Sequence, residues 1–257
     1  MSRFHMFFVL LLLAAPLSAE GGAANRLPGI KGEDNRTTAD SSVMPWRAIG
    51  RLNKRSGGYC TATLVGPRTI LTAAHCLWNR RTRAFLAPES LHFVAGWTRG
   101  EYLAQSPVSG LHVSSAYVPA RSREASDLAH DWAVVELERD LSPVLGRFVI
   151  ERMDAATLAR HKAQGVSFIQ AGYSQDRKHV LTVHEGCELA GFSPGFPIVF
   201  HRCDAVSGDS GSPIFYRDGG VYRLVAMHVA TARAAGGNIG IAVSGSVLDA
   251  ALNRSGP

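Results

Sequence analysis

Ser210 sits in Cys203-Asp204-Ala205-Val206-Ser207-Gly208-Asp209-Ser210-Gly211-Ser212-Pro213, with glycines close on both sides, an acid before it and a proline shortly after. That pattern predicts a tight turn presenting Oγ to a cleft. A serine hydroxyl alone is a poor nucleophile at neutral pH, so the chemistry requires a general base and a carboxylate to orient that base. Both residue types are present. Leu71-Thr72-Ala73-Ala74-His75-Cys76 ends an apolar run on a histidine, and His130-Asp131-Trp132-Ala133-Val134-Val135-Glu136-Leu137 places an aspartate at the entry to an apolar strand. With Ser210 as nucleophile, His75 as base and Asp131 as orienting acid, the predicted chemistry is acyl transfer at a carbonyl. Ser207 and Ser212 compete for the first role, the other histidines for the second and Asp127 for the third. Asp131 is preferred because it alone directly precedes the strand. The G-x-S-x-G elbow of α/β-hydrolases is not met, since Ser212 stands where its last glycine belongs.

The elements that must position these groups are short β runs broken by glycine, proline and polar turns. A first set covers Arg47 to Leu52, Tyr59 to Val65, Thr69 to Ala73, Leu91 to Ala95, Tyr102 to His112 and Trp132 to Leu137. A second covers Val166 to Tyr173, His179 to His184, Ile198 to Arg202, Pro213 to Tyr216, Tyr222 to Val229 and Ile239 to Val243. Many short strands at this spacing predict all-β barrels or sandwiches rather than βαβ units. Between the sets, Met153 to Lys162 reads as a helix in the connection, and Ser246 to Asn253 reads as a C-terminal helix with Ser246 as its cap. Residues 1–24 have a positive start, an apolar run from Phe7 to Ala15 and a small-residue exit, which predicts a secretory signal. An uncleaved anchor helix is the alternative, and the cleavage site is open among positions after Ala19, Gly21 and Ala24. Residues 25–45 are polar and without clear periodicity, an N-terminal arm or propeptide. Four cysteines in an exported chain predict two disulfides, and the equal spacing of Cys60 to Cys76 and Cys187 to Cys203 favours sequential pairing.

The net charge of +6 is scattered apart from one knot at Arg80, Arg81 and Arg83. With no aromatic residues interleaved with it, that knot reads as a solvated loop, and nucleic-acid binding is not expected. There is no C-x-x-C and no H-E-x-x-H, so no metal site is expected either. No cofactor is implied.

The segments T-A-A-H-C, D-W-A-V-V-E-L and G-D-S-G-S-P together resemble the three signatures of the chymotrypsin-fold serine peptidases, in type and in order, over about Trp46 to Asn253. The G-S-P ending, Gly172-Tyr173 and Met227-His228 are more similar to the bacterial V8-like, glutamyl endopeptidase branch. The resemblance implies an all-β chain of two six-stranded antiparallel barrels, residues 46–138 and 166–245, with the active site between them, a connection over 139–165 and a C-terminal helix and tail over 246–257. It implies an oxyanion hole from the N–H groups of Gly208 and Ser210, and it supports a Cys60–Cys76 disulfide. It implies substrate-binding positions at Asp204, where trypsin-like relatives hold the acid for Lys or Arg, and at His228, where glutamate-specific relatives hold a histidine. Val229, Ala230 and Thr231 correspond to the edge strand that holds an extended peptide. The threonine expected after Asp204 is Ala205, and glycine is expected within the edge segment, so the primary preference stays open between acidic and basic residues. A freshly cut amino terminus near Leu27 or Ile30 pairing with Asp209 is a further expectation, against a simple buried hydrogen-bonding role for that acid. The functional expectation is a secreted or periplasmic, monomeric serine endopeptidase acting on peptides or proteins. A catalytically silent homologue that binds peptides through the same cleft is the alternative.

Overall fold

The computed structural model describes residues 27–119, 124–234 and 237–255. The expected leader, residues 1–24, lies outside the described residues. In the first half the strands are β1 Thr37–Ala39, β2 Ile49–Lys54, β3 Tyr59–Gly66, β4 Thr69–Thr72, β5 Trp78–Asn79, β6 Ala84–Phe85, β7 Leu91–Ala95, β8 Ala104–Val113 and β9 Ala133–Leu137. Six of them close an antiparallel barrel in the order β2-β3-β4-β9-β8-β7. β3 is buried along its whole length because one face points into the barrel and the other packs toward the second half. Leu64, Ile70, Phe93, Val135 and Leu137 fill that barrel with side chains suited to a pleated, enclosed surface. The hairpin β5–β6 stands apart from it.

The second half contains β10 Val149–Ile150, β11 Phe168–Gly172, β12 Leu181–Cys187, β13 Leu189–Phe192, β14 Ile198–His201, β15 Pro213–Asp218, β16 Val221–Ala234 and β17 Gly237–Ser244. With β1 they form a nine-stranded sheet ordered β1-β12-β11-β15-β16-β17-β14-β13, and β10 pairs with β16. This is more strands than the six expected, and the hydrogen-bonded path is open. It returns on itself through the chain, because only Glu188 separates β12 from β13. The result is the two-barrel, chymotrypsin-like architecture. β1 belongs to the segment expected as an arm, and its pairing with β12 from Thr37↔Val183 to Ala39↔Leu181 makes it a strand of the second sheet.

The helices are α1 Ala125–Leu128, α2 Ser142–Leu145, α3 Ala155–Ala163 and α4 Gly245–Ser255. α3 matches the expected connecting helix, and the Asp154 carboxylate caps it by accepting the Thr157 N–H at 2.7 Å. α4 is the expected C-terminal helix, but it starts one residue earlier and Ser246 is not its cap. The Ser246 hydroxyl donates to the Met153 carbonyl instead, at 3.0 Å, tying the helix to the connection between barrels.

Candidate active site

The turn between β14 and β15 carries Ser210, and two glycines shape it. Gly208 has φ +97° and Gly211 φ +86°. A side chain on Gly208 would collide with the Tyr173 carbonyl, and one on Gly211 would collide with the Thr61 carbonyl. The turn closes internally by Asp209 N–H to Val206 O at 3.1 Å and Ser212 N–H to Asp209 O at 2.9 Å. Among the described residues, the N–H groups of Gly208 and Ser210 are left without hydrogen-bond acceptors in the protein.

His75 lies in the one-turn helix Ala74–Leu77 directly after β4, and a disulfide from its neighbour Cys76 to Cys60 in β3 ties that turn to the barrel. Asp131 enters β9, the strand that pairs with β4. The barrel register therefore delivers base and acid side by side. One oxygen of Asp131 accepts the His75 backbone N–H at 2.9 Å and the other meets Nδ1 at 2.7 Å. Nε2 of the same ring meets Ser210 Oγ at 2.8 Å. The three residues named from sequence thus form one continuous relay across the two halves. Asp131 is buried while His75 is about a third exposed, so the relay opens to solvent at the serine end.

A cleft of about 620 Å³ runs past this point. His75, Tyr117, Leu128 and Arg80 lie on the first-barrel side, and Ala205 to Ser207 and His228 to Arg233 on the second. β15 pairs with β16 only as far as Pro213↔Met227, so the segment that follows, with Val229, Ala230 and Thr231, borders the cleft as expected for an edge strand.

His228 also borders the cleft, and its Nδ1 is 2.9 Å from Nε2 of the buried His201. Nδ1 of His201 is buried without a partner, which fits a bare lone pair better than an N–H. That assigns the shared proton to His201 Nε2 and leaves His228, a residue of the cleft lining, with its own proton on Nε2. Burial holds both rings well below the ordinary histidine range, so the pair is neutral at neutral pH. Gly240 is required here, since a side chain would enter the His201 ring.

Asp204 departs from the expectation of a substrate-binding acid. It is fully buried, and the N-terminal arm occupies it: one carboxylate oxygen accepts the Lys31 N–H at 2.6 Å and the other the Asn35 N–H at 3.0 Å. Its own N–H donates to His184 Nδ1 at 2.8 Å. Burial pushes the carboxyl up, but the nearby His184 ring and the hydrogen bonds from the two arm amides outweigh it and hold the group below its ordinary range. Lys31 Nζ donates to the Cys203 carbonyl at 2.6 Å, and Asn238 Nδ2 to the Ile30 carbonyl at 3.3 Å. The arm thus docks on Asp204 rather than on Asp209.

Asp209 is buried behind the nucleophile turn. One oxygen accepts the Val206 N–H and the Ser174 hydroxyl, both at 2.8 Å, and the other has no partner. Burial pushes this carboxyl up to about 6.

Sequence reasoning missed Thr61. Its N–H lies 3.0 Å from the carbonyls of both Gly208 and Ser210, and its hydroxyl donates to Gly208 O at 2.8 Å while accepting the Tyr173 N–H at 2.9 Å. This first-barrel residue holds the nucleophile turn against the wall that carries His75. Nothing in its local sequence announces the role beyond its place beside Cys60. The cysteines pair sequentially, Cys60–Cys76 and Cys187–Cys203, and the second bridge ends next to Asp204.

Two antiparallel β units meeting at a Ser-His-Asp relay define the class of chymotrypsin-like, trypsin-type serine proteases. The trypsin family profile matches residues 33–187, more than half of the chain, and the chain belongs to that family. The matched region includes His75 and Asp131 and ends before Ser210. A glutamyl endopeptidase of Bacillus licheniformis is 22% identical over 190 residues, covering 74% of this chain and 55% of the relative. Serine protease 23 of Macaca mulatta is 26% identical over 230 residues, covering 78% of this chain and 56% of the relative. The chain therefore spans about half the length of these curated relatives. Among solved structures, a Glu endopeptidase in complex with MPD superposes with a TM-score of 0.70 at 21% identity, covering 88% of this chain and 98% of the other. The protease Anisep from Arthrobacter nicotinovorans gives 0.64 at 16% identity, covering 86% and 98%. These structural likenesses concern the fold.

Proposed function

We propose that this chain is an exported serine endopeptidase working through an acyl-enzyme. Ser210 Oγ attacks the scissile carbonyl while His75 Nε2 takes its proton, and Asp131 holds the ring with Nδ1–H and stabilises the imidazolium. The oxyanion faces the N–H groups of Gly208 and Ser210, where each donor contributes about 2.7 to 4 kcal/mol in comparable sites. Proton return from His75 to the amine leaving group gives the ester of Ser210, and water repeats the cycle to release the acid. The observation that carries this reading is the unbroken relay of 2.7 and 2.8 Å beside two unspent N–H groups. A silent homologue has no need for that alignment.

For the residue before the cut, the reading favours an acidic side chain. Asp204 is engaged by the arm, and the Nε2–H of His228, a residue of the cleft lining, is a fixed donor. The name of the glutamyl endopeptidase relative points the same way. Export follows from the signal-like residues 1–24 and is in keeping with two disulfides; among the described residues no helix is long and apolar enough to cross a membrane.

The test is digestion of a diverse peptide library by the mature, disulfide-bonded protein, with parallel fluorophosphonate labelling and a Ser210→Ala control. Cuts concentrated after Glu, with labelling lost in the control, support both parts of the proposal. Cuts after Lys or Arg would restore Asp204 to the pocket. No cutting and no labelling would leave the binding module.

A further inference from the structure

The hairpin β5–β6 carries more charge than its surroundings neutralise. It pairs Trp78↔Phe85 and Asn79↔Ala84, and its turn presents Arg80, Arg81 and Arg83, all exposed. Among the described residues none of the three forms an ion pair. Three like charges within four residues repel one another, so a turn with no further role gains nothing by holding them together.

The turn nevertheless fixes them. Asn79 Oδ1 accepts the N–H groups of Arg81 at 3.0 Å and Thr82 at 3.3 Å, and its carbonyl accepts the Arg83 N–H at 2.8 Å. Arg83 adopts φ +54°, a conformation that glycine takes without strain. At the base of the hairpin, Trp78 meets Phe85 edge-on with ring centroids 5.1 Å apart, and Phe85 leans on Tyr117 of the cleft wall at 6.2 Å. The hairpin begins two residues after Cys76 of the disulfide, and the Leu86 N–H returns to the Leu77 carbonyl at 2.7 Å. Arg80 lines the same cleft as His75 and Ser210, facing the wall formed by Val229 to Arg233. A polypeptide lying in that cleft therefore meets Arg80.

We infer that the Arg80–Arg83 turn is an exosite that recruits protein substrates carrying an acidic segment next to the scissile bond. This rests on the endopeptidase reading but is separate from the pocket at His228. The charge complementarity is with clustered Asp and Glu side chains, held by several exposed pairs that are each weak and together selective. It acts over about a Debye length, roughly 10 Å at 0.1 M salt, so it weakens as salt is raised.

The experiment uses two peptides with the same cleavable core, one extended by five D-glutamates and one by five D-glutamines. The D-residues present charge without adding cleavable bonds. The ratio of kcat/KM for the two is measured at 20 and 300 mM NaCl for the parent and for R81E/R83E. The expected parent ratio is about tenfold at low salt and near one at high salt, and R81E/R83E brings the low-salt ratio to one or below. Affinity of both peptides for the Ser210→Ala protein is measured alongside by fluorescence anisotropy. That reads the exosite even if the endopeptidase reading fails, which would show as no turnover of either peptide. A parent ratio near one at low salt with equal affinities, or a ratio that survives R81E/R83E, overturns the inference. So does a variant that loses binding only to phosphatidylcholine–phosphatidylglycerol vesicles, which would assign the hairpin to an anionic lipid surface.

Discussion

At the scale of single residues, burial decides which groups carry charge. Asp209 titrates near 4 in an unfolded chain and is pushed up to about 6 in the fold. Between those values the folded protein holds a proton that the unfolded chain has released. Stability therefore falls as pH rises from about 4 through about 6 and stays lowered above, by about 3 kcal/mol. Asp209→Asn keeps an acceptor for the Val206 N–H and the Ser174 hydroxyl and removes the titration. Thermal unfolding should show the variant gaining on the parent between pH 4.5 and pH 8, and a gap that does not widen would mean that Asp209 is already ionised in the fold at pH 4.5, as it is in the unfolded chain. His228 makes the complementary case. Its neutral ring offers an N–H whatever the pH above 6, so the preference in kcat/KM for Glu over Gln before the cut should stay flat from pH 6 to 8. His228→Leu should lower that preference by about 10- to 100-fold, the worth of one hydrogen bond to a charged group. A preference that collapses between pH 6 and 8 would indicate an imidazolium instead.

At the scale of elements, the N-terminal arm does what the sequence assigned to a substrate. Lys31 and Asn35 take both oxygens of Asp204, while Arg36 pairs with Asp34 and Asp176 at 2.9 and 2.8 Å and leads into β1. Asp204→Ala strands two amides and should cost about 2–4 kcal/mol, with new cleavage by an added protease between residues 27 and 36. An arm that stays protected in the variant would mean that β1 and Arg36 suffice to hold it. The contrast with the relay explains what was legible. Ser210, His75 and Asp131 each sit in a local pattern, a glycine turn or a strand entry, that the chemistry itself demands. Most strands were legible for the same reason, because alternation and glycine breaks are local. The task of Asp204 was not, because its partner Lys31 lies 173 residues away and only the fold brings them together. β1, β13 and the β5–β6 hairpin were missed because they are short and take their meaning from what they pair with.

At the scale of the molecule, catalysis by this design depends on the register of one barrel against the other. His75 and Asp131 belong to the first, Ser210 and its glycine turn to the second, and an error of 1 Å between them can cost about 100-fold. Thr61 ties the two together, since its N–H and hydroxyl both reach into the nucleophile turn and its oxygen holds Tyr173. Tyr59 OH donating to the Ser174 carbonyl at 3.2 Å adds a second tie from the same strand. Thr61→Val preserves the shape and the N–H but deletes the hydroxyl. It should lower kcat by about 10- to 100-fold with KM within about threefold, because Thr61 is not among the residues lining the cleft. Thr61→Ser restores the hydroxyl and should recover most of kcat. If Thr61→Val loses thermal stability while kcat holds, Thr61 is part of the packing only, and alignment of the two halves rests on Tyr59 and on the enclosed faces of β3.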